Sequence, residues 1–137
     1  MDLKKSTLNQ AEVSLLLAKH VITAHAKDAN VVISPLSIQV LLGMIANGSN
    51  GPTRDQLLGF LKSKSTQELN LLSSEVLTRV FADGEPLGGP RLSLANSVWV
   101  DRSLTLKPAF RDIVHNIYVA ASDHVDFQTK VSFCADW

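Results

Sequence analysis

The chain has 137 residues, 45% of them hydrophobic and 19% charged, a length that suits one ordinary domain or part of a larger one and excludes two full domains. A compact chain of this size buries roughly 68% of the surface its unfolded form exposes, so neither a disulfide framework nor a metal is needed, and disorder by composition is excluded. Thirteen Lys and Arg offset thirteen Asp and Glu with neither sign gathered into a block, which leaves no basic stripe for a nucleic acid.

In the opening segment Lys4 and Lys5 are basic, but Thr7, Asn9, Gln10 and Glu12 interrupt any apolar run before Leu15, Leu16 and Leu17. No secretory signal is expected. The longest apolar stretch, residues 40–46, falls far short of the roughly twenty residues a membrane span requires. The expectation is a soluble, cytoplasmic or nucleocytoplasmic protein, and the single Cys134 fits a reducing compartment.

Leu8, Ala11, Leu15, Ala18 and Ile22 recur at steps of three and four and predict an amphipathic helix with that stripe inward. Its start is a capping box at Asn9 and Glu12, or else Ser6. The β-branched run 31–33 predicts a short buried strand, and Ser34 followed by Pro35 predicts the cap and first turn of a second helix. Leu36, Ile38, Val40, Leu41, Leu42, Met44, Ile45 and Ala46 then occupy every face, as in a helix covered on all sides.

Asn47 and Gly48 predict a left-handed stop, and Thr53 with Gln56 a capping box for a third helix carrying Leu57, Leu58, Phe60 and Leu61. Ser65 and Glu68 repeat that signature ahead of a fourth helix with Leu69, Leu72, Val76 and Val80 on one face, ending near Ala82. From Leu92 the period becomes two. Leu92, Leu94, Asn96, Val98 and Val100 share one side of a predicted strand, with Ser93, Ala95, Ser97 and Trp99 on the other. Pro108 opens a fifth helix with Phe110, Ile113, Val114, Ile117 and Tyr118 inward, and Val125 and Phe127 suggest a last strand. Three strands far apart in sequence make a poor sheet alone, so the chain reads as the beginning of a larger domain.

Chemistry-bearing motifs are sparse. No Gly-x-Ser-x-Gly elbow occurs, His20 and His25 are five apart and off a shared helical face, and no second Cys offers a zinc half-site. Gly84, Gly88 and Gly89 lack the spacing of a phosphate loop. Asn47, Gly48 and Ser49 form a glycosylation triplet that is read as a helix stop. Ser34 and Ser37 are expected to hydrogen bond in the core, and Asn96, an amide on an apolar strand face, to join a buried polar network. No catalytic set, metal or cofactor follows.

The order of segments resembles the N-terminal portion of the serpin family, plant serpins in particular. Asn30, Ser34, Pro35, Ser37 and Ile38 in the stretch 30–38 resemble the family's strand-to-helix passage. Gly48, Gly51 and Thr53, with Gln56 and Leu57, resemble the opening of its next helix. Asn96 and Trp99, then Pro108 and Phe110, then Asp126 and Phe127 follow in family order.

The resemblance covers residues 1–130, with 131–137 a divergent tail, and about the first third of a serpin domain. It implies an α+β class, an incomplete domain with helices A to E and isolated strands of sheets A and B, 92–100 and 121–127 lying in the central sheet. Ser34 and Ser37 match the region where that sheet's strands part. The family role implied is inhibition of serine or cysteine proteases by an exposed bait loop that inserts as an extra strand. That loop lies outside these residues, so no inhibitory residue is assigned and the chain is expected to be non-inhibitory. A fragment, a truncated product or altered splicing would each explain the tail. The alternative is a module whose open strand edges pair with another serpin chain or a second copy.

Overall fold

Among the described residues five helices and two strands follow in the order α1 (Leu3–His25), α2 (Pro35–Gly48), α3 (Gly51–Phe60), α4 (Thr66–Arg79), β1 (Ser97–Asp101), α5 (Pro108–Asn116) and β2 (Ala121–Val125). The computed structural model describes residues 3–26, 29–81, 88–89 and 92–129. The chain divides into two compact units, Met1–Leu94 and Ala95–Trp137. Among the described residues no helix is long and apolar enough to cross a membrane.

The first unit is a cluster of four helices with α2 against the other three. Its innermost side chains are Val13, Ala46, Leu61 and Leu69, flanked by the half-buried Leu17, Leu42, Leu57 and Leu58. Ser34 caps α2 as expected, its Oγ accepting from the Ser37 amide at 3.4 Å, with Pro35 in the first turn. The all-round cover expected for α2 is incomplete. Val40, Gly43, Met44 and Ala46 are buried, but Leu41 and Ile45 are exposed on the side away from them.

The apolar stripe of α1 lies opposite to the expected way. Leu8, Leu15 and Ile22 are all more than half exposed, whereas Val13 is sealed and Leu17 half-buried. Both stripes have helical period, so periodicity cannot choose between them. Hydrogen bonds do choose. The inward face carries Ser6, which donates to the Glu68 carboxylate at 2.7 Å, and Gln10 and Ser14, which receive the Gln39 amide. Asn9 and Glu12 form no capping box, since α1 begins at Leu3. Asn9 Nδ2 donates to the Lys62 carbonyl at 2.8 Å, and Glu12 pairs with the Lys62 ammonium.

Residues 31–33 are not a strand. Among the described residues no strand lies beside the run to take its backbone groups, so it is irregular, and Val32 is fully exposed. The left-handed turn falls at Gly51, φ +56°, rather than at Gly48. A residue with a side chain would be strained there, and glycine is not. Consequently α3 starts three residues earlier than expected. Asn50 is its N-cap residue and Thr53 lies exposed within its first turn. Phe60 is exposed and Leu61, just past the helix, is the buried residue. In α4 Leu69 and Leu72 are buried as predicted, but Val80 is exposed and the helix ends at Arg79.

In the second unit the long predicted strand shrinks to β1, because residues 92–95 have no ladder partner among the described residues. β2 likewise stops at Val125, and Phe127 sits exposed in a turn. The two strands pair with each other into a two-stranded sheet, the poor sheet expected of this segment alone. They run parallel in unbroken register from Ser97 opposite Ala121 to Asp101 opposite Val125. α5 supplies the crossover that parallel strands need, with Pro108 in its first turn and Val114, Tyr118 and Ala120 fully covered beneath it.

The return from α5 to β2 passes through Val119 at φ +49°, a left-handed conformation that a β-branched residue adopts only under strain. Ala120 then donates to the Val114 carbonyl at 3.0 Å. Because Val119 is 72% exposed, little packing opposes its removal. Val119→Gly is expected to raise stability by up to about 1 kcal/mol. A urea midpoint unchanged or lowered would contradict this.

Candidate functional site

The residues carrying the family resemblance are spread over both units. In the first unit Ser34 and Ser37 join through their hydroxyls at 2.7 Å, closing the first turn of α2. This pair sits at the surface and not in the core as expected. Asn30 is exposed beside it, and Pro35 fixes the turn. Gly48 ends α2 and Gly51 starts α3, with Thr53 solvent-facing.

The glycosylation triplet is engaged structurally. Asn47 Nδ2 donates to the Gly43 carbonyl at 2.9 Å and to Asn70 Oδ1 at 2.8 Å, while Asn70 Nδ2 returns a bond to Asn47 Oδ1 at 3.1 Å. This reciprocal amide pair fastens α2 to α4, so the triplet does more than stop a helix.

In the second unit the N-terminal ends of β1 and β2 open onto a concavity of ≈ 460 Å³ lined by Asn96, Ser97, Trp99, Ala121, Ser122 and Asp123. Trp99 Nε1 donates to Ser97 Oγ at 2.8 Å, which holds the indole along the strand. The Asn96 carbonyl accepts from the Ala121 amide at 3.1 Å and extends the ladder by one bond. Its side chain does not form the expected network. Asn96 Nδ2 is buried without a hydrogen-bond acceptor among the described residues. Pro108 and Phe110 serve α5, Phe110 half-buried.

At the other end of the strand pair two carboxylates organise turns. Asp101 accepts from the Ser103 hydroxyl at 2.6 Å, the Ser103 amide at 2.9 Å and the Phe127 amide at 3.3 Å. Asp126 accepts from the Thr129 hydroxyl and from the amides of Thr129 and Gln128. The Ser103 hydroxyl chiefly holds the Asp101 carboxyl below its ordinary pKa, and the Thr129 hydroxyl does the same for Asp126. These bonds fix how β1 and β2 end; they present no free acid or base.

Two polar clusters escape a reading of the sequence. His115 Nε2 and Ser122 Oγ lie 3.0 Å apart, joining the last turn of α5 to β2 at the surface. Glu68 gathers the Ser6 and Ser63 hydroxyls and the Lys64 amide, and the Lys64 amide bond is the main cause of its lowered pKa. The Ser65 and Glu68 spacing foretold half of that cluster, since Ser65 Oγ does accept from the Glu68 amide. The reach of Glu68 to Ser6, 62 residues earlier, has no local signal. Among the described residues no three His, Cys, Asp or Glu are placed to hold a metal. Cys134, Gly84 and the tail 131–137 lie outside the described residues.

This helix cluster and strand pair have counterparts among known proteins. The sequence model of the serpin (serine protease inhibitor) family matches residues 8–136. Serpin-ZX of Arabidopsis thaliana is 51% identical over 130 residues, which cover 95% of this chain and 33% of that protein. A probable non-inhibitory serpin-Z5 of the same plant is 38% identical over 134 residues, covering 95% of this chain and 31% of its own. Arabidopsis AtSerpin1 in its native stressed conformation superposes with a TM-score of 0.90 at 49% identity, over 98% of this chain and 34% of that one. The chain thus spans about a third of the length of the curated relatives it matches. With five helices and a short strand pair it is a partial domain of that α+β fold. The chain belongs to the serpin family, and its relatives place it with the plant serpins.

Proposed function

We propose that the chain contributes to the family's role, restraint of serine-type proteases, as the helical and two-stranded foundation of an inhibitor, and that these 137 residues by themselves trap no protease. Trapping by strand insertion requires an exposed bait segment and two neighbouring sheet strands able to part and admit it. The observation that carries this reading is the closed register of the sheet. β1 and β2 are bonded to each other from end to end, which leaves no slot between them. No stretch of the sequence resembles the bait segment either. A relative described as a probable non-inhibitory serpin supports a family role without trapping.

The test is incubation of the purified chain with trypsin-like, chymotrypsin-like and papain-like proteases, followed by denaturing electrophoresis. No covalent complex is expected with any of them. One detergent-stable band at the summed mass would overturn the proposal.

The outer edges favour a second reading. Each strand of the pair is bonded on one side only among the described residues, and such edges are templates for another strand. The chain would then act by pairing with another serpin chain or with itself. Size-exclusion chromatography with light scattering separates the readings. A monodisperse folded monomer, unchanged by an added full-length serpin, counts against edge pairing.

A further inference from the structure

Where α1, α2 and α4 meet, Gln10, Gln39 and Ser73 join Leu36, Leu69 and Val76 around a space of ≈ 10 Å³ for the centre of a water-sized sphere. That is about the least volume a single water requires. Gln39 is 4% exposed and Ser73 6%, so both polar side chains are shut away from bulk solvent.

The orientation of the Gln39 amide follows from its neighbours. Nε2 donates to the Gln10 backbone carbonyl at 3.2 Å and to Ser14 Oγ at 2.6 Å. A carbonyl only accepts, so turning the amide over would set two acceptors against each other. Oε1 is therefore left as a buried acceptor with no donor among the described residues. Buried acceptors in folded proteins find a donor, and a small cavity with a second polar wall is where an internal water supplies it.

We infer that the junction of α1, α2 and α4 binds one structural water, which donates to Gln39 Oε1 and bonds the Ser73 hydroxyl. The space corresponds to about one water molecule. The bound water makes Gln39 a link among three helices, tied to α1 directly through Nε2 and to α4 through the solvent molecule.

A double-mutant cycle on the 137-residue chain tests this. Ser73→Val fills the space and expels the water, leaving Gln39 Oε1 unpaired, and is expected to lower Tm by about 3 °C or more. In a Gln39→Leu background no acceptor remains to be orphaned, and the same change should leave Tm level or raise it. Equal shifts in the two backgrounds would overturn the inference. A high-resolution crystal structure of the unaltered chain gives a readout independent of how the variants fold. One solvent peak within about 3.2 Å of Gln39 Oε1 and of Ser73 Oγ upholds the site. A cavity without density, or Oε1 bonded to a protein donor, refutes it.

Discussion

Leu61→Ala is expected to destabilise the first unit by about 3 kcal/mol, within the range of roughly 2–5 kcal/mol for deletion of a buried leucine. Leu61 has no exposed surface and shares the innermost cluster with Val13 of α1, Ala46 of α2 and Leu69 of α4. The alanine at position 46 is small, so the leucine fills space that no facing side chain can retake. Within α3 itself no residue is buried, which leaves Leu61, one position beyond the helix, as the side chain that anchors its end. Loss of roughly 3 kcal/mol is a large share of the 5–15 kcal/mol that holds typical domains. Urea unfolding followed by far-UV circular dichroism measures it, and a change below about 1 kcal/mol would show that the four side chains are not the structural centre.

Glu68 carries the second large effect, and its size depends on pH. Its carboxylate accepts from the Lys64 amide at 2.9 Å, the Ser6 hydroxyl at 2.7 Å and the Ser63 hydroxyl at 3.1 Å. Glu68→Ala leaves the buried Ser6 hydroxyl without that acceptor and is expected to cost about 1–3 kcal/mol at neutral pH. The same bonds lower the Glu68 pKa in the folded chain beneath its ordinary 4.5, the Lys64 amide most of all. The carboxylate's contribution is therefore complete above the unfolded value and fades as pH falls through the folded one. Glu68→Gln should trail the parent by a constant margin near neutrality, and the two should converge in acid. A margin that widened with falling pH would contradict the assignment. Paired urea titrations across the acid range supply the comparison.

These two cases mark what local sequence chemistry reveals about this fold. Ser34 with Pro35, Ser65 with Glu68, and Pro108 act over three or four residues, and each helix start they predict is found. The inward face of α5 was equally readable from Ile113, Val114 and Tyr118, because one apolar face there has no rival. In α1 there are two candidate faces. The choice between them rests on Glu68 and Gln39, side chains far along the chain that no window of sequence contains. The run 31–33 and residues 92–95 have strand composition but no strand beside them among the described residues, and a ladder is a property of two segments.

The expected site suffered in the same way. Ser34 and Ser37 do bond to each other, but whether that pair is covered depends on elements that must lie over it. Asn96 is on the predicted strand line, yet its amide nitrogen finds no acceptor among the described residues. Motif order identified the family correctly where the surroundings of single residues could not be foreseen. The reason is that order survives in sequence, whereas burial is a product of assembly.

The clasp between α1 and the turn after α3 has a consequence for synthesis. Ser6, Asn9 and Glu12 take their partners at Glu68 and Lys62, more than fifty positions downstream except for Glu12 and Lys62, which stand fifty apart. A ribosome extends the chain from its amino end at about 5–20 residues each second. α1 therefore leaves the ribosome ahead of these partners, and its clasp closes only when the start of α4 has followed it out. For several seconds Leu8, Leu15, Leu16 and Ile22 on one side and Val13 and Leu17 on the other are all open to solvent, and a chaperone that grips nascent apolar helices would meet this one before the helices it packs against.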